Sequence, residues 1–440
     1  MKPVAPVVPE PKAHVETTVT LPAETQPAVV EQPIVVTAPV SLDGAQQYHV
    51  VFSTDCSFFQ DWQTLLIFHS ATVVKQPGKI SRIASGCSEK QQKGLLTLYQ
   101  KLYPQYGVHF TPDFKTDGKT KKKYDFYNKP YGVHHWLQNA QPPIVDHTIV
   151  IILDPDMIFL RPITSQIREN KATITLRSFN PAVDTIPLRV ERGQPAAQLY
   201  GLGAPWAAAH PKHFNVTDIC GAGSNCGKTP QRYGEAHYSV GPPYLLESGD
   251  LLRLTNSWTQ MVPRVYSKYP NLLAEMYAYS MAAAHEQLPH FTVENMMVSN
   301  TDAYDEGWKW VDQLKDDVCV PPTEGIYYPD LQMPSVVHFC QFFRAGELGF
   351  QKRRIKKALF DCDAPMMEDP PLNLGTVKYK NRDGTNMPLS RVQARRNAFM
   401  LCTIHRSINA MVGHYKDVMC DKSQFVNRNK SINVVAKGFY

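Results

Sequence analysis

The stretch Thr148-Ile-Val-Ile-Ile-Leu-Asp154-Pro-Asp156-Met-Ile-Phe159 sets an apolar, β-branched run directly against two carboxylates one residue apart. A run without polar alternation suits a strand covered on both faces, and the carboxyl ends of such strands are where open α/β sheets gather ligands. Two hard oxygen donors there can hold Mn²⁺ or Mg²⁺ against a diphosphate. The same spacing has a plainer reading, an N-cap and a turn that close the strand. Asp361-Cys362-Asp363 repeats the spacing, but it follows the basic run from Lys352 to Lys357 and no strand leads into it.

The chain has 440 residues, enough for a large core and for two or three units. Its 46 basic and 40 acidic residues are interspersed, so the net charge of +6 points to no nucleic-acid partner. Lys121 to Lys123 and Lys352 to Lys357 are the dense basic patches. Each reads as a solvated face, and the second can alternatively lie near phosphate. No stretch reaches the roughly 18 apolar residues that span a bilayer, so membrane attachment would need an anchor absent from this sequence. Nine cysteines without a C-x-x-C pair argue against structural zinc. The sequons Asn215-Val-Thr217 and Asn429-Lys-Ser431 fit an oxidising secretory lumen, Golgi or ER, with several disulfides and one thiol left over. Cys220 with Cys226, and Cys362 with Cys402 or Cys420, are the first pairings to expect.

Residues 1–47 hold many prolines and no aromatic residue, which predicts a disordered stalk. Residues 48–361 read as the main domain and 362–440 as a largely helical C-terminal extension. Strands are expected at Tyr48 to Ser53, Ile80 to Ala84, Gly107 to Phe110, Thr148 to Leu153, Ala172 to Phe179, Pro243 to Leu246 and Ser335 to Cys340. Helices are expected after Trp62, over Asn128 to Gln138, from Gly249 with a kink at Pro263, over Leu272 to Leu288, and over Ser390 to Lys416. Alternating strand and helix predicts an α/β, Rossmann-like, mostly parallel sheet with helices on both faces. Residues 190–243, rich in Gly and Pro, read as an irregular insertion.

His338 ends a late apolar strand and can complete a metal set with Asp154 and Asp156; taken alone it reads as a core histidine. His134 and His135 are adjacent helical positions whose side chains diverge by about 100°, so they do not read as a metal pair. Several separated motifs, in order, resemble the plant and algal peptidyl hydroxyproline O-arabinosyltransferases and peptidyl serine α-galactosyltransferases. They are Phe52-Ser-Thr-Asp-Cys56 with Trp62-Gln63, Ser81-Arg82-Ile83, Asn128-Lys-Pro130 with Trp136-Leu-Gln138, Leu153-Asp-Pro-Asp-Met-Ile158, Glu275-Met-Tyr-Ala-Tyr279 and Val337-His-Phe339. The resemblance runs from about Tyr48 to Cys362. It weakens over 190–243 and after Cys362, which leaves acceptor choice open.

That resemblance implies a GT-A glycosyltransferase with a UDP-sugar donor carrying arabinose or galactose. It also implies Mn²⁺ or Mg²⁺, and a protein or peptide acceptor rich in hydroxyproline or serine. It assigns Asp154, Asp156 and His338 to the metal, with Phe339 where the family has tyrosine. Ser53, Thr54 and Asp55 fall where such folds receive uracil and ribose, with Arg82 either joining them or held in a structural ion pair. Asn128 and Lys129 sit before the metal strand, and Lys129 can reach phosphate or stand solvated. Asp156 and Glu275 are the candidate catalytic residues. Glu275 serves as base in an inverting transfer, positions donor or acceptor, or makes a local salt bridge, with Asp250 and Asp302 as substitutes. Trp206, Tyr233 and Tyr244 can stack on a peptide or pack in the core. A silent binding module of the same fold and a nucleotide-sugar hydrolase are the rival readings.

Overall fold

The computed structural model describes residues 46–166, 189–201, 204–207, 215–314, 318–319, 332–345, 348–370, 390–421, 423 and 431–432. Residues 1–45 of the stalk expected over 1–47, the strand expected at Ala172 to Phe179 and Asn429 of the second sequon lie outside the described residues.

The chain opens with β1 (Tyr48–Thr54), α1 (Phe58–Val73), β2 (Lys79–Ser85), α2 (Glu89–Leu102), β3 (Gly107–Thr111), α3 (Asn128–Asn139) and β4 (Ile149–Leu153). These strands pair in parallel in the order β3-β2-β1-β4, as strand and helix alternation requires. β4 shows why an unbroken apolar run is needed. Ile149, Ile151 and Leu153 pack into the cluster that holds Trp62, Phe68 and Tyr99, while Val150 and Ile152 pack on the opposite face with Trp136, Trp258 and Tyr279. Every residue of the strand is buried.

After β5 (Met157–Phe159) and β6 (Ala196–Leu199) come the short helices α4 (Val216–Cys220), α5 (Asn225–Lys228) and α6 (Gln231–His237), then β7 (Val240–Glu247). The supposedly irregular insertion therefore supplies a strand of the main sheet. β7 is antiparallel to both β4 and β6, so the seven-stranded sheet, completed by β8 (Phe291–Val293), is mostly but not wholly parallel. Its order is β3-β2-β1-β4-β7-β6-β8. The register of β6 on β7 shifts between Ala197 and Gln198, which pair with Tyr244 and Gly241. Pro242 and Pro243, which have no N–H to give a ladder, fall in that shift.

α7 (Ser248–Lys268) and α8 (Ala274–His285) cover one face. Glu247 caps α7 by accepting from the N–H groups of Gly249 and Asp250. The helix runs through Pro263, whose missing N–H frees the carbonyl of Thr259. The Tyr131 hydroxyl of α3 donates to that carbonyl at 2.9 Å, and α7 stays one helix through the position where a kink was expected.

A second, three-stranded sheet pairs β5 with β10 (Val336–His338), which in turn pairs with β9 (Met297–Val298). The remaining elements include α9 (Trp308–Gln313), the hairpin β11 (Phe343–Ala345) with β12 (Leu348–Phe350), and α10 (Arg391–Met419). α10 starts at a Ser390/Gln393 capping box and packs against α1, α2, α9 and β11.

Disulfides join Cys56 to Cys87, Cys220 to Cys226, Cys319 to Cys402 and Cys362 to Cys420, leaving Cys340 free. Two of these match the expected pairings. Cys56 and Cys87 each lie two residues beyond the ends of neighbouring strands, so strand adjacency was the signal that would have found the third. Among the described residues no helix is long and apolar enough to cross a membrane.

Candidate active site

β4 ends at Leu153, and the chain turns through Asp154-Pro155-Asp156 into β5. Antiparallel pairing of β5 with β10 sets Met157 opposite His338, and the Phe339 N–H donates to the Asp156 carbonyl at 2.9 Å. The late histidine is thereby carried to the acidic pair by strand register alone. His338 Nε2 lies 3.2 Å from Asp156 Oδ1 and 3.9 Å from Asp154 Oδ2. One donor atom from each of the three residues falls within 4.8 Å of the others. Among the described residues Asp361 and Asp363 form no such cluster; Cys362 between them is in a disulfide.

Phe339, where the resemblance has tyrosine, is buried and stacks on Trp62 with ring centroids 5.8 Å apart. An aromatic contact of this kind holds β10 in place by about 1 kcal/mol beyond its burial.

Burial pushes the Asp156 carboxyl up, but His338 and Lys352 outweigh it and hold it well below the usual carboxylate range. Lys352 was read only as part of a basic patch, yet its ammonium is bonded to Asp156 Oδ2. Burial works against a charged His338, and the carboxylates of Asp156 and then Asp154 reverse the balance, raising its pKa. Its Nδ1 has no partner among the described residues. Two ionisable carboxylates and an imidazole whose Nε2 faces both of them form a hard O/N donor set that fits Mn²⁺ or Mg²⁺.

Lys129 does not stand in solvent. It is buried, donating to Asp154 Oδ1 at 2.8 Å and to Glu275 Oε1 at 3.0 Å, with its ammonium 5.6 Å from the centre of the Tyr244 ring. Burial disfavours its charge, but the two carboxylates more than compensate and raise its pKa. Gly132 permits this placement: a Cβ there would meet Ile83 at 3.0 Å, so its absence lets α3 settle onto β2. Glu275 is only 4% exposed, its Oε2 has no partner among the described residues, and burial first, then Asp154, raise its pKa against Lys129. A base must reach the acceptor proton, and this carboxyl is enclosed.

At the end of β1, Ser53 and Asp55 are partly exposed and Thr54 is buried. Asp55 accepts from Ser57 and Lys115. Arg82 is fully buried, donating to the Thr54 hydroxyl, Asp61, the Tyr99 hydroxyl and the Asp55 carbonyl. That is the structural alternative for Arg82; it shapes the turn from behind and offers nothing to a nucleotide. Asn128 is buried and accepts from the Phe114 N–H at 2.8 Å.

Asp250 caps the Gly193 N–H and pairs with Arg253, and Asp302 accepts from Gln393, so neither joins the cluster. Trp206 and Tyr244 are core residues; Tyr233 remains 43% exposed. His134 meets Thr255 whereas His135 meets His109, two divergent directions as helical geometry requires.

Residues 48–192 match the N-terminal domain of the hydroxyproline O-arabinosyltransferase family. The chain is 31% identical over 332 residues to a peptidyl serine alpha-galactosyltransferase of Arabidopsis thaliana, covering 73% of this chain and 34% of that protein. It is 24% identical over 388 residues to a peptidyl serine alpha-galactosyltransferase of Chlamydomonas reinhardtii, covering 84% of this chain and 43% of that one. It thus spans less than half the length of the curated relatives it matches. Among solved structures it is similar to an active-site mutant of LgtC, at 11% identity and a TM-score of 0.36 over 67% of this chain and 87% of the other. It is also similar to the bifunctional glycosyltransferase WbbM in apo form, at 10% identity and a TM-score of 0.37 over 68% and 46% of the two chains. Over residues 48–192 the chain thus carries the N-terminal domain of the hydroxyproline O-arabinosyltransferase family, and its alignment with peptidyl serine alpha-galactosyltransferases extends beyond that domain.

Proposed function

We propose that this chain transfers a sugar from a UDP-sugar to a hydroxyl group of a peptide acceptor, serine or hydroxyproline. The observation that carries the reading is the convergence of Asp154, Asp156 and His338 from two sheets onto one point beyond β4. These three side chains would hold Mn²⁺ or Mg²⁺. When bound, that ion would neutralise charge building on the departing UDP.

The protein's own groups prepare that centre. Asp156 is kept ionised by its cationic neighbours. Lys129 fixes one oxygen of Asp154 and leaves the other facing His338. Glu275 holds Lys129 from the far side, a supporting role in place of general base. Ser53, Thr54 and Asp55, at the end of the adjacent strand, line the side that would receive uracil and ribose. Relatives named as serine galactosyltransferases support galactose and serine as the first pair to assay. We assign the transferase domain to 48–361, with 362–440 as an extension packed on it. We place the protein in the secretory lumen; four disulfides support that compartment.

The test is a donor screen with UDP-galactose and UDP-arabinose against serine-rich and hydroxyproline-rich peptides in Mn²⁺. Transfer to peptide is expected. Release of free sugar at one rate with and without peptide would instead identify a hydrolase, and thermal stability unmoved by UDP with Mn²⁺ would identify a silent module.

A further inference from the structure

β1 and β4 run parallel, β7 returns antiparallel to β4, and β6 runs antiparallel to β7. The carboxyl ends of β1, β4 and β6 and the start of β7 therefore share one edge of the sheet. On the reading above the nucleoside lies at β1 and the diphosphate at β4. Tyr200, the residue after β6, stands two strands beyond β4, about 10 Å at the usual strand spacing, on the side away from the nucleoside.

Tyr200 is held firmly there. Its N–H donates to the Ser239 carbonyl at 2.8 Å. Its side chain rests on the bare backbone of Gly241, where a Cβ would fall 2.8 Å from Tyr200 Cγ and 3.1 Å from Met276 Cε. The residue is partly exposed, and its phenol is close enough to Cys340, Asp154, Glu306 and Asp156 for them, after burial itself, to raise its pKa. The phenol is neutral, so what it offers a ligand is chiefly a ring. Trp206 and Tyr244, two of the aromatics considered for stacking on a peptide, are packed in the core.

An aromatic face on the acceptor side suits one acceptor chemistry better than another. Serine has no ring to lay on it. Proline and hydroxyproline present an apolar pyrrolidine on an extended, preformed backbone, which is how proline-rich segments dock on aromatic-lined surfaces.

We propose that Tyr200 is a specificity-determining residue that stacks on a pyrrolidine ring of the acceptor peptide, at the acceptor residue or beside it. This rests on the transferase reading above and adds an acceptor preference to it. The preference has a signature that a merely structural tyrosine does not produce, because it separates one peptide from another and leaves the nucleotide alone.

The experiment is titration of the full chain, saturated with UDP and Mn²⁺, with a peptide of alternating serine and hydroxyproline and with the same peptide carrying alanine at every hydroxyproline. Wild type, Tyr200→Ala and Tyr200→Phe are compared, and UDP affinity in Mn²⁺ is measured separately for each. Wild type is expected to bind the hydroxyproline peptide about tenfold tighter than the alanine peptide. Tyr200→Ala should lose that preference by weakening on the hydroxyproline peptide alone, with UDP affinity unchanged. Tyr200→Phe should keep it, since stacking needs the ring and not the hydroxyl, which separates the effect from a folding defect. A wild type without the preference, a Tyr200→Ala protein that retains it, a Tyr200→Phe protein that loses it, or a loss of UDP affinity in Tyr200→Ala overturns the proposal while UDP binding by wild type leaves the transferase reading intact. A wild type that binds neither UDP nor peptide overturns both.

Discussion

The carboxyl ends of β1 and β4 lie side by side in the central sheet and both present aspartates, yet their bonding differs. At β1 the charged groups are paired within the protein. Both oxygens of Asp55 are taken by Ser57 and Lys115, the Arg82 guanidinium donates four hydrogen bonds, and the Cys56–Cys87 disulfide fastens the turn. At β4 buried groups remain open. His338 Nδ1 and Glu275 Oε2 have no partner among the described residues, and the carboxylates there draw cations from three separate elements. On the proposed reading neighbouring strand ends serve as rigid rim and as reactive centre, and it is the gathering of two aspartates and a histidine at one point, rather than acidity alone, that tells them apart.

The largest expected effect tests the β4 side. Asp156→Asn removes a charged cation donor and should lower UDP-sugar turnover roughly a thousandfold while the protein stays folded; turnover within tenfold of wild type would remove the distinction. Arg82→Met should show the opposite pattern. Loss of a fully buried, multiply bonded guanidinium should cost about 3 kcal/mol in urea unfolding, with Mn²⁺ affinity of the folded protein unchanged. A large loss of Mn²⁺ affinity would place β1 in the reactive half.

His49 of β1 offers a pH test of the rigid side. Burial first, and Lys79 second, lower its pKa to about 4, below the unfolded value of about 6.5. The neutral form is the stable one, so this contribution is complete above about pH 6.5 and declines as pH falls towards 4, by about 2 kcal/mol at pH 5. The difference in melting temperature between wild type and His49→Gln should shrink from pH 7.5 to pH 5. A constant difference would mean that His49 does not couple its burial to folding.

The smallest effect sharpens the role of Glu275. Glu275→Gln keeps an acceptor for Lys129 but loses the charge, so kcat should fall about tenfold with the acid limb of its pH profile retained. A general base would instead lose about a hundredfold or more, together with that limb.

Much of this arrangement was readable before any coordinates. The unalternated Ile149 to Leu153 run specified a doubly covered strand, and the acidic residues at its end and His338 at the end of a late apolar strand, read together as a candidate set, do lie together. What escaped the sequence has a common physical cause. A lysine that ends in a buried carboxylate pair looks, along the chain, like one that ends in water, so Lys129 and Lys352 kept plain or open readings. Glu275 suffered the same ambiguity in reverse, since its enclosure depends on α3 approaching at Gly132. The direction of β7 and the strand Ala196–Leu199 were hidden because proline and glycine mask strand periodicity. The Cys319–Cys402 link depends on α10 packing that local spacing does not encode.

The pairing of β5 with β10 also bears on how the protein matures. A nascent chain can complete β1 through β4 long before residue 338 leaves the ribosome, so an intact main sheet is no guarantee of competence. Only the zipping of two three-residue strands, 182 positions apart at the Asp156–His338 contact, brings the imidazole home. A slip of one residue there would turn His338 to the opposite face and leave the acidic pair without its imidazole.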